Sequence, residues 1–367
     1  EDKVRLFNSI DKDKISIYKI GDHIDSFHGY LAPSTGFINM FKLRYYYPGV
    51  IILFPNIKNN FDMENFKEEK KLARVFKESN SWLSILDLEY IGSLNEKTNR
   101  NEIGEVIRVS EALHEKKISQ IADKICEDRD INIILIAGPS SSGKTTFAQR
   151  LAVQLKVNGK RPISISIDDY FVNRNETPLD EAGMPDFEAL EAIDIKLLND
   201  DLIKLLEGRE VELPKFNFMT GQRERSGKNI RLDKDHPIII EGIHGLNPRL
   251  TGSIPEKNKY KIYISALTQL NIDSHNRIAT TDTRLIRRMV RDVKFRGNGP
   301  LRTFEMWEGV RKGEEKNIFP YQEEADIMFD SALVYELAVL KKYIVPLLKE
   351  IDSSSIYYSE AKKLIKF

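Results

Sequence analysis

Short apolar runs alternate with amphipathic stretches over the last two thirds of the chain. The runs at 131–137, 163–167, 237–240 and 260–264 are rich in isoleucine, the pattern of strands buried on both faces. Between the first two, Phe147, Leu151 and Leu155 fall on one face of a helix expected from Thr146 to about Val157. This rhythm predicts a parallel sheet covered by helices. Upstream, Ile107, Ala112, Leu113, Ile118, Ile121, Ala122 and Ile125 recur at helical spacing, so residues 100–130 read as a long bridging helix. The first 90 residues differ. Their β-branched and aromatic segments at 15–20, 37–47 and 50–54 are broken by Pro33, Gly36 and Gly49, which predicts a small mixed α+β unit. The expected organisation is therefore residues 1–95 as one domain, 96–130 as a helical connector and 131–367 as the α/β domain. An apolar helix is expected from Leu333 to Leu348, with Pro346 kinking or ending it.

The chain has 367 residues, enough for two or three domains. Its 56 basic and 56 acidic side chains cancel, which argues against a surface wholly devoted to nucleic acid. The single cysteine, Cys126, sits in a helical apolar pattern and excludes an internal disulfide or a thiolate zinc site. A reducing, cytoplasmic setting is expected. No apolar run approaches the about 18–20 residues that span a bilayer.

Candidate chemistry begins at 138–145, GPSSSGKT, which matches G-x-x-x-x-G-K-[ST] in full. An expected strand runs into it and an expected helix follows, the context a phosphate-binding loop requires. Gly138, Ser140, Ser141, Ser142, Gly143, Lys144, Thr145 and Thr146 are expected to surround a nucleoside triphosphate. Lys144 would neutralise its β- and γ-phosphates and Thr145 would ligate Mg²⁺.

Two acidic strand tips follow. Asp168 and Asp169 end the run at 163–167, at the sheet edge where ligands bind in open α/β folds. Asp168 is the expected base that takes a proton from an acceptor hydroxyl, with a second role near the metal. Glu241 ends the run at 237–240 and is expected in the Mg²⁺ shell. Arg284, Arg287, Arg288 and Arg291 fall at i, i+3, i+4 and i+7, on one helix face. Like charges so placed repel unless an anion compensates, and the expectation is a mobile basic lid over the triphosphate. Arg287 is expected at the transferring phosphoryl group and Arg284 also at the acceptor.

The segments GPSSSGKTT (138–146), SIDDYF (166–171), PDFEALEAID (185–194), PKFNF (214–218), IEGIHGL (240–246) and TDTRLIRRMVRD (281–292) resemble, in order, those of the uridine kinase and phosphoribulokinase family of P-loop kinases. The resemblance implies a P-loop NTPase-type parallel sheet with helices on both faces, preceded by the small α+β domain. It implies ATP and Mg²⁺ as cofactors and a nucleoside 5′-hydroxyl as acceptor. Asp168 aligns with the catalytic carboxylate, and Asp169 and Tyr170 fall at the acceptor. Glu188 stands near the family's ribose-holding acid, usually Asp. Phe216 and Phe218 match aromatics of the nucleoside pocket, the first commonly Tyr. Gly221 stands where uridine kinases tend to carry a base-reading His.

GDHIDSFHGYLAPSTGFINMFKL (21–43) resembles the editing-domain segment of threonyl-tRNA synthetases. Asp25, Gly29 and the Pro33-Ser-Thr-Gly36 turn match, while Phe27 and Leu31 replace the Cys and His of that pattern. This implies a degenerate scaffold with a binding or regulatory role, through which RNA binding is conceivable. His23 and His28 are close in sequence, but a packed or exposed pair is the expectation rather than a metal site. A homo-oligomer is expected. Kinases of another small alcohol and a nucleotide-gated RNA-binding regulator are the competing readings. A GTPase is disfavoured, because no N-K-x-D segment occurs.

Overall fold

The structure is a computed structural model and describes residues 2–8, 14–27, 31–47, 49–55, 63, 66, 68–180, 183–233, 236–268 and 270–366. His28 and Gly29 lie outside the described residues. The chain begins with α1 (Asp2–Asn8), the hairpin β1 (Tyr18–Ile20) and β2 (His23–Asp25), and a second hairpin, β3 (Lys42–Tyr46) and β4 (Gly49–Leu53). Helices α2 (Lys70–Ile85), α3 (Ile91–Asn99) and α4 (Ile103–Glu127) follow.

The α/β part then runs β5 (Ile133–Ala137), α5 (Lys144–Val157), β6 (Ile163–Ser166), α6 (Ile195–Leu206) and the hairpin β7 (Glu210–Asn217) and β8 (Gln222–Arg231). After it come β9 (Ile238–Glu241), β10 (Lys259–Ser265), α7 (Thr280–Phe295), α8 (Pro300–Asn317), β11 (Ile327–Asp330), α9 (Glu336–Lys349) and α10 (Tyr358–Ile365). The four apolar runs are the strands β5, β6, β9 and β10, within one or two residues of their expected ends.

With β11 they form one parallel sheet in the order β11-β10-β5-β9-β6. Alternate residues feed two cores. Ile133, Leu135, Ile238 and Ile240 pack with α6, and Ile134, Ile136, Ile239 and Ile262 pack with α4 and α5. The central strands β5 and β9 are buried on both faces, which is why they read as unbroken apolar runs.

The bridging helix does more than connect. Ile118, Ile121, Ala122 and Ile125 of α4 lie in the core against α5, and Glu115 receives Arg150 Nε at 2.6 Å and Gln154 at 2.9 Å. Helix α2 is also fastened to the α/β part. The Glu323 carboxylate accepts the N–H groups of Lys71 (3.1 Å) and Leu72 (3.2 Å), capping the helix start. Pro346 lies inside α9, which continues to Lys349. In the last turn a missing N–H costs one bond only, so the helix does not end there.

Among the described residues of the first 55, β1 with β2 and β3 with β4 form two separate hairpins, while Leu6 of α1 packs against α3. Leu43, Tyr45, Val50 and Ile52 of β3 and β4 are exposed.

Candidate active site

Sheet register assembles the site. Glu241 of β9 sits beside Ile136 of β5 on one side and Ser166 of β6 on the other. Two residues beyond those neighbours come Gly138 and Asp168. The phosphate loop and both acidic tips therefore leave the same edge of the sheet, the carboxyl edge where open α/β sheets bind ligands.

The loop's carbonyls are all held. Lys144 Nζ donates to Gly138 O (2.9 Å) and Pro139 O (3.3 Å), and Ser142 N also donates to Pro139 O (3.1 Å). Arg284 Nη1 donates to Ser140 O (3.2 Å), Arg287 Nη1 to Ser141 O (3.3 Å), the Ser331 hydroxyl to Ser142 O, and Phe147 N to Gly143 O (2.9 Å). Carbonyls tied to the protein cannot turn toward an anion. The first N–H groups of α5 have no partner four residues back, so they are the donors an anion at this loop would meet. Gly143 caps that helix at φ +89°. A Cβ at Gly138 would stand 2.0 Å from Ile264 O of β10, so no other residue lets the loop leave the sheet here.

The residues fit a nucleotide. Among the described residues the buried hydroxyls of Ser141 and Ser142 have no hydrogen-bond partner, the state expected of donors meant for phosphate oxygens. Thr146 is exposed beside them. Burial pushes the Lys144 ammonium down from its ordinary range, and Glu241, Asp168 and Glu188 oppose that shift. Those three carboxylates therefore face the lysine.

Thr145 Oγ1 donates to Glu241 Oε1 at 3.0 Å, and Ser166 Oγ to the same oxygen at 3.4 Å. Two of the three expected Mg²⁺ ligands, Thr145 and Glu241, are thus in contact. Among the described residues no three His, Cys, Asp or Glu side chains make a cage of their own. One hydroxyl and one carboxylate suit Mg²⁺ that arrives with phosphates and keeps several waters.

Asp168 is half-buried. Burial raises its proton affinity, and Lys144, Arg296 and Arg291 pull it back down. Asp169 is turned elsewhere: its Oδ1 accepts Phe216 N at 3.2 Å and fixes β7 against the strand tip. Tyr170 is a correction to the expected acceptor set. Its ring is fully buried and its hydroxyl donates to Asp201 of α6 at 3.2 Å, so it supports the core beneath the cleft. Glu188 is pushed up to about 7 by burial, with Arg288 opposing and Glu314 assisting.

The four arginines do share one face of α7, but two of them are tied into ion pairs with other helices. Arg284 is 1% exposed and pairs with both oxygens of Glu314 on α8, with Nη2–Oε2 at 2.7 Å. Its guanidinium lies 5.4 Å from the Trp307 ring. Arg287 pairs with Glu336 of α9 and donates to Ser331 O at 3.0 Å. Both braces hold the outer side of the loop, which corrects the placement of Arg287 at the transferring phosphoryl group and of Arg284 at nucleotide and acceptor. The outward carbonyls required buried donors, and the donors required carboxylates.

Arg288 donates to Ser140 Oγ (2.8 Å) and lies 3.3 Å from Asp292, which Arg291 (3.1 Å) and Arg296 (3.7 Å) share. One buried carboxylate among three guanidinium groups leaves positive charge toward the cleft. The Arg288 charge reaches Glu188, and those of Arg291 and Arg296 reach Asp168.

Phe216 and Phe218 meet at 5.2 Å between ring centroids, and Phe171 joins them at 5.5 and 6.5 Å. Phe187, the neighbour of Glu188, lies 6.4 Å from Phe171. This aromatic wall starts at Asp169 and ends beside Glu188. Phe171 and Phe187 were not expected from sequence, although each is an aromatic close to a candidate acid. Glu314, Ser331 and Glu336 carried no such signal.

A family model described as the phosphoribulokinase / uridine kinase family matches residues 133–338. A uridine kinase of Lactobacillus helveticus is 30% identical over 197 residues, 53% of this chain and 84% of that protein. One of Staphylococcus epidermidis is 29% identical over 197 residues, 53% of this chain and 86% of that protein. A solved structure of a possible uridine kinase from Bacillus stearothermophilus superposes with a TM-score of 0.36 at 19% identity, over 55% of this chain and 89% of that one.

Proposed function

The chain belongs to the phosphoribulokinase / uridine kinase family, and from that premise we propose that it transfers the γ-phosphoryl group of ATP to the 5′-hydroxyl of a nucleoside. The observation that carries this reading is the convergence of Lys144, Glu241 and Asp168 at one sheet edge beside an aromatic wall.

In this reading the α5 N-terminus, Lys144 and the hydroxyls of Ser141 and Ser142 hold the β- and γ-phosphates. Thr145 and Glu241 would hold Mg²⁺, which when bound would supply charge neutralisation to the phosphates. The acceptor base lies on Phe216 and Phe218, and the Glu188 carboxylate accepts from the ribose hydroxyls. Asp168 takes the proton of the 5′-hydroxyl as its oxygen bonds to the γ-phosphorus. The bond from that phosphorus to the bridging oxygen breaks, its electron pair stays on the β-phosphate, and ADP leaves. Arg288, Arg291 and Arg296 offset charge on the equatorial oxygens.

Phosphorylation of another small alcohol is the second reading, and Gly221 favours it, because the base-reading side chain of the resemblance is missing there. For residues 1–95 the reading remains a scaffold like the synthetase editing segment. Its support is that Asp25 is already engaged by Lys3 and His275 rather than open to a substrate. Acceptor-stimulated ADP release across nucleosides, polyols and sugar phosphates tests the function. Stimulation by a nucleoside is expected; stimulation by a polyol or sugar phosphate alone contradicts it.

A further inference from the structure

Resting on the nucleoside reading above, we propose that Arg174 reads the far edge of the acceptor base and selects keto bases (uracil, guanine) over amino bases (cytosine, adenine). The observation is local. Gly221 closes the β7–β8 turn at φ +71°, and a Cβ built there would stand 2.7 Å from Arg174 Nε and 3.0 Å from Arg174 Cβ. The space that a side chain at 221 would occupy is filled by a guanidinium from another segment.

That guanidinium is held in place. Arg174 N donates to Gly221 O at 2.8 Å, and Arg174 Nη2 donates to Phe218 O at 2.9 Å. Next to it, Asn173 Oδ1 accepts Arg223 N at 3.1 Å, and Asn173 closes a capping box with Glu176. The turn and the arginine therefore form one unit at the end of the aromatic wall. Phe218 joins this unit to Phe216, whose N–H rests on Asp169, next to the base Asp168. These contacts run in sequence from Asp169 through Phe216 and Phe218 to Arg174, so an acceptor with its hydroxyl at Asp168 and its ring on the two phenylalanines would turn its far edge toward Arg174.

Chemistry fixes the preference. A guanidinium carries five N–H donors and no acceptor. Arg174 is exposed, and among the described residues its Nε and Nη1 have no partner. A keto oxygen accepts from such a donor, and guanine offers two acceptors on that edge, O6 and N7. An exocyclic amino group meets it donor to donor and loses its own hydrogen bond on leaving water.

The test is kcat/KM for uridine, guanosine, cytidine and adenosine with wild type, Arg174→Gln and Arg174→Lys, each with its melting temperature. Wild type is expected to favour keto over amino nucleosides by about tenfold to a hundredfold. Gln both donates and accepts, so Arg174→Gln is expected to bring the ratio within about threefold, mostly through KM, while Arg174→Lys keeps part of it. A merely structural arginine would lower all four acceptors together and leave the ratio intact. An unchanged ratio in Arg174→Gln, or no keto preference in wild type, overturns this inference alone. Turnover of no nucleoside overturns it together with the function on which it rests.

Discussion

Arg284 and Glu314 form a buried, two-pronged ion pair that grips one loop residue from both sides. Arg284 donates to Ser140 O at 3.2 Å, and Glu314 Oε1 accepts Ser140 N at 3.1 Å. The pair thus joins α7 and α8 to the phosphate loop, and it turns what looked like ligand-binding charge into scaffolding.

Breaking one partner leaves the other charged, buried and alone. Glu314→Gln or Arg284→Met is expected to cost about 3–5 kcal/mol of stability. The Kd for ATP is expected to rise at least tenfold as the loop loses its hold on Ser140. Calorimetric melts and nucleotide titration check this. The Arg284→Met/Glu314→Leu double variant is expected to recover much of the stability and little of the affinity. Equal recovery of both would show that the pair serves folding alone.

The Thr145–Glu241 contact makes a metal prediction. Glu241→Gln keeps the shape and removes the charge, so half-saturating Mg²⁺ for turnover is expected to rise about tenfold or more. A magnesium titration at fixed ATP reads this directly. An unchanged midpoint would remove Glu241 from the metal shell.

Glu188 gives the pH dependence. Burial pushes it up to about 7 from an ordinary 4.5. Between these values the folded chain keeps a proton that the unfolded chain releases. Stability from this group therefore falls as pH rises from about 4.5 to 7 and stays lost above it. Glu188→Gln is expected to melt a few degrees higher than wild type at pH 8 and no higher at pH 4.5. Acceptor KM in wild type is expected to rise as pH falls below 7, because a protonated Glu188 accepts poorly, and this slope is expected to vanish in the variant. Parallel pH profiles would contradict the assignment.

Gly138 makes a steric prediction. With Ile264 O 2.0 Å from a Cβ there, Gly138→Ala must displace either the loop or β10. Loss of nucleotide binding at an unchanged far-ultraviolet spectrum is the expected result.

Much of this was readable from the chain. Strands buried on both faces announce themselves as isoleucine runs, and a residue at a strand's end needs no long-range information to be placed at the sheet edge. Lys144, Thr145, Asp168 and Glu241 were placed at that edge in this way. The arginines were not. Spacing puts Arg284 and Arg287 on the same face as Arg288 and Arg291, but their partners Glu314, Ser331 and Glu336 come from α8, the segment after β11 and α9, far along the chain. Tyr170 failed for a related reason: which way a residue points from a short 3₁₀ turn depends on α6, and Asp201 claimed its hydroxyl. Arg174 was invisible because its place is defined by a missing side chain at Gly221, across a hairpin.

The most direct test of the kinase reading is nucleoside-stimulated ADP release in wild type and Asp168→Asn, with the Kd for ATP measured in both. Asparagine keeps the shape and cannot take the proton. The expected result is a loss of about 10²–10⁴-fold in turnover with ATP affinity within about threefold of wild type. Turnover retained within tenfold in Asp168→Asn would contradict the account, because the strand-tip carboxylate would then not be the base.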